Sequence, residues 1–192
     1  MKPTGIGSAL VFCLTLGGCT TPALFPADVM EDVAPTFDFK AWRQTTGNPM
    51  TSDRDVGGQG PKVQVGGRIV ASQQTPNGIV IVGQQLPIVR HPAYGPADTD
   101  KQTGEYEFAF LFNGKLDQRA LMPGNRFIMV GRTKGKPETV LVDGAPKSEP
   151  FLIAQCLHVW NTEGREIADF ISGGVGGGFT ALEENTYCEA KK

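Results

Sequence analysis

The chain has 192 residues, a formal net charge of −2 and 40% hydrophobic residues, which suits one domain of ordinary size with its own core. The basic residues form no block, and this near-neutral balance argues against nucleic-acid binding, which needs a concentrated basic face. Beyond the N-terminus, no apolar run approaches the roughly twenty residues of a membrane span.

The N-terminus has the layout of a bacterial lipoprotein signal. Lys2 supplies a positive charge, and the apolar stretch Ile6–Leu16 is too short to span a bilayer. The run Leu16–Cys19 (Leu-Gly-Gly-Cys) then places small residues before a thiol that can take a diacylglycerol. We predict that residues 1–18 are a signal peptide and that Cys19 is lipidated, with fatty acids such as palmitate as the anchor. The alternatives are an ordinary secretory signal and a short hydrophobic N-terminus in which the cysteine is incidental.

Removal of the signal peptide and acylation of Cys19 determine which cysteines remain free. The processed chain has 174 residues with a net charge of −3, because Lys2 is the one charged residue of the signal. Cys13 departs with the signal and Cys19 is acylated, so Cys156 and Cys188 are the thiols left in an oxidising compartment. We predict that these two form a disulfide tying the C-terminal tail to the strand around Cys156. No C-x-x-C spacing or metal-ligand set is present, and no metal or cofactor is predicted.

Residues 19–61 are predicted to be a tether and an N-terminal segment. Prolines at several positions break any long helix, so we expect one or two short helical turns. The aromatic residues Phe37, Phe39 and Trp42 are expected to dock on the domain, with Phe37 and Trp42 packing against its outside. Gly47–Pro61 has turn and linker composition and is predicted to be a loop.

Residues 62–160 are predicted to form the folded β domain. The predicted strands are Lys62–Ser72, Ile79–Val82, Glu105–Phe112, Asn125–Arg132, Thr139–Val142 and Phe151–Trp160. Asn77-Gly78 predicts a hairpin turn between the first two. Strands at this spacing without intervening helices favour an all-β fold, a small OB-like antiparallel β-barrel, over a parallel sheet. Gly66-Gly67 indicates the bulge or sharp coil that barrel closure requires.

An aromatic stripe lies on one face of the third predicted strand. It consists of Tyr106, Phe108, Phe110 and Phe112. We interpret the stripe as barrel core, because stacking of bases or sugars would need exposed rings. The alternative is a binding module that holds glycan or peptidoglycan fragments along one face of the barrel. Its exposed groove would be formed by Arg90, Tyr94, Tyr106 and Arg132.

The sequence offers no residue set on which to base a reaction. His91 precedes a proline in a loop, and His158 lies in an apolar strand, where a hydrogen-bonded structural imidazole is the usual outcome. The H-E-x-x-H, G-x-S-x-G and S-x-x-K motifs are absent. Asp98, Asp100 and Glu105 lack the glycine and closing glutamate of a calcium loop, so a solvated loop is expected. We predict that the protein is not an enzyme.

Residues 161–192 are predicted to be a C-terminal tail. Gly173–Gly178 is almost entirely glycine, but it has neither the G-x-G-x-x-G nor the Walker spacing. A flexible segment is therefore favoured over an anion cradle.

Several distinct short motifs follow one another between Cys19 and Trp160. They are the lipobox cysteine, Phe25-Pro26 leading to Phe37 and Trp42, Val65–Ile69 (V-G-G-R-I), Gln85–Ile88 (Q-L-P-I), Pro123–Gly131 (P-G-N-R-F-I-M-V-G) and His158–Trp160 (H-V-W). In this order and spacing they resemble the Slp family of starvation-inducible outer-membrane lipoproteins. The resemblance implies a lipid-anchored, periplasm-facing β-barrel, associated in some members with stationary phase and stress, without an assigned enzymatic activity. The Gly-rich tail and Cys188 extend past the usual end of the family.

The expected role is structural or interactive, through a surface offered to another protein or glycan of the envelope. Thr20, rather than Asp, follows the lipidated cysteine, which favours export to the outer membrane over retention in the inner membrane. The glycan-binding module remains the alternative.

Overall fold

The computed structural model describes residues 23–34, 37, 39, 59–97, 106–134, 137–171 and 181–190. These residues form two short helices and eight strands. In chain order they are α1 (Ala27–Met30), β1 (Gln59–Thr75), β2 (Gly78–Leu86), β3 (Glu107–Phe112), β4 (Arg126–Lys134), β5 (Glu138–Val142), β6 (Ala145–Glu149), β7 (Phe151–Trp160), α2 (Ile167–Ile171) and β8 (Glu184–Cys188). Short 3-10 turns at Pro92–Tyr94 and Gln118–Leu121 follow β2 and β3.

Five of the strands close into a ring of hydrogen bonds. β2 lies between β3 and β1, β1 lies between β2 and β4, and β7 pairs with both β4 and β3. The β3–β7 pairing is parallel, and the other strand pairs of the ring are antiparallel. The predicted all-β class, with a barrel-like, OB-like and mostly antiparallel sheet, is therefore confirmed. β5 and β6 form a separate two-stranded hairpin.

The ring closes because β1 is long and curved and pairs with two neighbouring strands. Its first half pairs with β4 and its second half with β2, and Gly66-Gly67 belong to both ladders. A Cβ atom on Gly67 would lie 2.7 Å from Cζ of Phe127, and one on Gly83 would lie 2.6 Å from the same atom. The glycines therefore make room for the Phe127 ring between β1 and β2. The register also shifts between Ile69 and Ala71, which adds the bulge that a curved strand needs.

The interior of the ring is a cluster of aromatic and branched side chains. Phe108, Phe110 and Phe112 are completely buried there, while Tyr106 is half-buried at the edge of the cluster. The ring centroids of Phe110 and Phe127 are 5.3 Å apart, close enough for a favourable tilted contact. The interpretation of the aromatic stripe as core is thus confirmed for its three phenylalanines.

The N-terminal segment contributes to this interior, which corrects the predicted packing. Phe39 is buried with its ring 4.9 Å from that of Phe108, and Phe37 packs edge-on against Phe39. Gln85 holds the segment in place, since its side chain accepts from the Phe39 N–H and donates to the Phe37 carbonyl. Phe37, predicted to pack on the outside, thus packs against the interior cluster, and Phe25 is the residue of this segment that is buried on the outer side. Trp42 lies outside the described residues.

Much of the outer surface of the ring is covered as well. The β5–β6 hairpin packs on β2, β3 and β7 through Val140 and Val142. On another side, the segment around α1 and the segment around α2 pack against Trp160 and its neighbours on β4. Arg126 is fully buried at this side and forms an ion pair with Glu166, which offsets part of the cost of burying its charge.

Two of the strands, β6 and β8, were not predicted from the sequence. β6 follows a tight turn in which Asp143 and Gly144 both have positive φ, a geometry typical of two-residue hairpins. β8 comes from the predicted C-terminal tail and pairs with β7 from Cys156 to Trp160. The sheet therefore continues beyond the predicted domain boundary at Trp160.

Candidate functional site

Several residues singled out in the sequence lie outside the described part of the chain. These are Cys19, Trp42, Asp98, Asp100, Glu105 and the run Gly173–Gly178. Within the described ranges, no group of three or more His, Cys, Asp or Glu side chains is placed to hold a metal ion. No helix among the described residues is long and apolar enough to cross a membrane.

The two histidines have different surroundings. His91 is exposed and begins the turn Pro92–Tyr94, where its Nδ1 accepts from the Ala93 N–H at 3.2 Å. His158 is buried in β7, with its ring 4.3 Å from that of Trp160. The expected hydrogen-bonded imidazole is present at His158.

His158 belongs to a chain of contacts that reaches the N-terminal segment. The hydroxyl of Thr186 donates to the Leu24 carbonyl at 3.2 Å and lies 2.6 Å from Nδ1 of His158. Nδ1 of His158 and the Thr186 hydroxyl share one hydrogen bond, in which the tautomer of the imidazole determines the donor. Nε2 lies 3.5 Å from the carboxylate of Glu184. Burial lowers the pKa of His158, and the nearby Glu184 opposes this shift only in part.

The stability of the protein should decrease as the pH falls below about 6.5. The unfolded chain then protonates His158 before the folded chain does, so it binds more protons across the interval down to the folded pKa. A His158→Asn variant should lose this component of the pH dependence, which urea titrations between pH 7.5 and 5 measure. His91→Asn is the matched control and should keep the dependence. An NMR titration giving a His158 pKa above 6.5 would contradict the expectation.

The structure joins Cys156 and Cys188 in a disulfide between directly opposed residues of β7 and β8. Their Cα atoms are 4.1 Å apart. Tyr187 adds a further attachment, because its hydroxyl donates to Asp117 at 2.9 Å. Partial burial, together with this hydrogen bond, raises the pKa of Tyr187 to about 12. β8 is thus fastened to the sheet and to the loop that follows β3.

A groove of about 1280 Å³ opens beside the disulfide. Its walls come from six parts of the chain: the segment around α1, the start of β1, the turn between β1 and β2, the end of β3 with the loop after it, β7, and the end of β8. The lining residues are Pro26, Asp28, Val29, Lys62, Gln74, Thr75, Pro76, Asn77, Gly78, Leu111, Asn113, Gly114, Gln155, Cys156, Cys188, Glu189 and Ala190. It is the larger of the two clefts considered among the described residues.

The groove combines apolar walls with hydrogen-bonding groups. Lys62 is only 8% exposed, and its ammonium donates to the Glu31 carbonyl at 3.0 Å. Gln155 and Asn113 add amide groups to the lining. These groups can hydrogen-bond an extended ligand while the apolar walls contact its side chains. The arrangement therefore supports binding.

The four residues proposed for a glycan groove line neither this groove nor the smaller cleft described below. Arg90 and Tyr94 are exposed in the loop after β2. Tyr106 and Arg132 are half-buried at the start of β3 and within β4. The larger groove itself was missed in the sequence, because its walls come from distant segments without a shared motif.

Comparison with known proteins gives no assignment. No family model matches the chain. No curated protein and no solved structure matches it either. The functional conclusion therefore depends on the residues and on their geometry.

Proposed function

We propose that the protein is a lipid-anchored, periplasm-facing lipoprotein of the outer membrane, of the Slp type, with a structural or interaction role in the envelope. This proposal is supported above all by the order and spacing of the N-terminal motif: a short apolar run, then two small residues, then Cys19. The resemblance to starvation-inducible lipoproteins supports a role under stress or starvation.

The geometry supports a domain held close to the membrane. Leu24 is bound by Thr186, and Phe25 is buried against the outer face of the sheet. The five steps of the chain from Cys19 to Leu24 span at most about 18 Å, since an extended chain covers up to about 3.6 Å per step. The proposed anchor would therefore hold Leu24, where the chain meets the domain, within about this distance of the acylated Cys19.

The larger groove lies near the same end of the chain. Pro26, Asp28 and Val29 form one of its walls, only a few residues after the anchor. A partner that enters the groove would therefore be another component at the membrane surface. An outer-membrane protein with an exposed segment fits the mixed polar and apolar lining.

The Cys19→Ser variant should no longer fractionate with membranes, because the thiol that carries the acyl chains is gone. A Cys13→Ser variant is the matched control, since Cys13 leaves with the signal and membrane attachment should persist. Metabolic labelling with a fatty-acid probe measures acylation directly. Equal labelling of wild type and Cys19→Ser would refute the proposed anchor.

The glycan-stacking alternative is weakened by burial of the aromatic stripe. Stacking on sugars needs open ring faces, and Phe108, Phe110 and Phe112 have none. The exposed Tyr94 is separated from the stripe in sequence and lies in the loop after β2. A sugar platform is therefore not the proposed function.

A further inference from the structure

A smaller cleft, of about 160 Å³, lies beside the turn that follows β7. Its charged lining consists of Arg119, Glu163, Arg165 and Glu183, with Asn125 and Phe170 among the other contributors. Two positive and two negative side chains thus line a space large enough for a small polar group.

The turn at residues 161–165 is held rigidly. The side chain of Asn125 is fully buried, donates to the Arg119 carbonyl at 2.8 Å and accepts from the Glu163 N–H at 3.1 Å. The Gly124 carbonyl accepts from the Thr162 hydroxyl at 2.9 Å and from the Gly164 N–H at 3.2 Å. These bonds join the turn to the start of β4, so the backbone that carries the charged side chains is fixed before any ligand arrives.

The charges of the cleft are available to a ligand. Arg119 and Glu183 are 3.6 Å apart, but their side chains are 78% and 61% exposed, so the ion pair between them is weak and open to exchange. Arg165 lies over the Phe170 ring at 4.1 Å. Within the described part of the chain, the carboxylate of Glu163 and the guanidinium of Arg165 make no ion pair or hydrogen bond.

We infer that this cleft binds a zwitterionic α-amino-acid group, with its carboxylate on the arginines and its ammonium on the glutamates. A phosphate would be repelled by Glu163 and Glu183, and a sugar would find the Phe170 face already covered by Arg165. In the periplasm, the free end of the diaminopimelate residue in a peptidoglycan stem peptide is such a group. This choice of source rests on the proposed location, whereas the recognised chemistry follows from the cleft alone.

NMR titration of the full mature chain carrying Cys19→Ser tests the inference. The probe is the tripeptide L-alanyl-γ-D-glutamyl-meso-diaminopimelate, and saturable shifts are expected at Asn125 and at residues 161–165. The double variant Arg119→Gln with Arg165→Gln should bind at least about tenfold more weakly, because charge-assisted hydrogen bonds are lost. Arg90→Gln removes an exposed arginine elsewhere and should leave the affinity unchanged.

Two further probes separate the ligand sources. A tripeptide with L-lysine in place of diaminopimelate keeps the ammonium but lacks the carboxylate, and should bind at least about tenfold more weakly. Free D-alanine carries the zwitterionic group alone, so binding as tight as that of the tripeptide would identify a free amino acid as the ligand and overturn the stem peptide as its source.

Shifts that do not saturate, equal binding of the lysine tripeptide, or an unchanged affinity of the double arginine variant would overturn the inference. If Cys19 is acylated but the tripeptide does not bind, the inference about the cleft is refuted and the proposed anchor is not. If the tripeptide binds but Cys19 is not acylated, the inference about the cleft is supported and the proposed anchor is refuted.

Discussion

Reduction of the Cys156–Cys188 disulfide should lower the free energy of unfolding by about 3 to 4 kcal/mol. The two residues are 32 positions apart, and a cross-link of this span restricts the conformations of the unfolded chain. In the folded protein the bond joins opposed residues of neighbouring strands, so it requires no rearrangement of the sheet. Urea titrations of the oxidised and the dithiothreitol-treated protein measure the difference.

The Cys188→Ser variant provides the control for this effect. It should be less stable by a similar amount, and dithiothreitol should no longer change its stability. Membrane attachment should stay unchanged, because the proposed anchor is Cys19, near the other end of the chain. Two free thiols in the exported, non-reduced protein, counted by alkylation and intact mass, would contradict the pairing.

Truncation of Phe108 to alanine should cost about 3 to 5 kcal/mol, because a large buried ring is lost and leaves a cavity. Phe108 is completely buried and contacts the rings of Phe39, Phe110 and Phe127. A loss of this size is a large part of the usual 5 to 15 kcal/mol stability of a domain. Chemical denaturation followed by circular dichroism measures the loss.

Val89→Ala is the matched control, since Val89 is 54% exposed and its truncation should change the stability by no more than about 0.5 kcal/mol. Phe108→Leu should cost less than Phe108→Ala, because much of the buried volume is kept. A loss below about 1 kcal/mol for Phe108→Ala would show that the ring is not part of the core and would restore the binding platform as an explanation.

The ring of strands could be predicted from the sequence because its signals are local. Alternating apolar residues mark β1 and β3, continuous apolar runs mark β2 and β4, and Asn77-Gly78 marks the turn between β1 and β2. β8 gives no such signal, since its residues are mostly polar and exposed, and its pairing with β7 places it in the sheet. β6 was missed because Pro146 and its polar neighbours resemble a loop.

The binding surfaces could not be predicted, because long-range contacts create them. The larger groove joins residues near Val29, the β1–β2 turn and Cys188. The smaller cleft likewise places Arg119 beside residues after β7. The proposed lipidation of Cys19, by contrast, depends on a short motif that needs no folding, so this functional signal can be read from the sequence alone.

Photo-crosslinking in cells tests most directly whether the domain binds a partner in the larger groove, as proposed. A photoreactive amino acid at Gln74 or Asn113, which are exposed lining residues, should give a discrete adduct that disappears when Cys19→Ser is added. The same substitution at Leu141, which is exposed on the β5–β6 hairpin and does not line the groove, should give none. Absence of an adduct from both groove positions, or the same adduct from Leu141, would contradict the proposed interaction role.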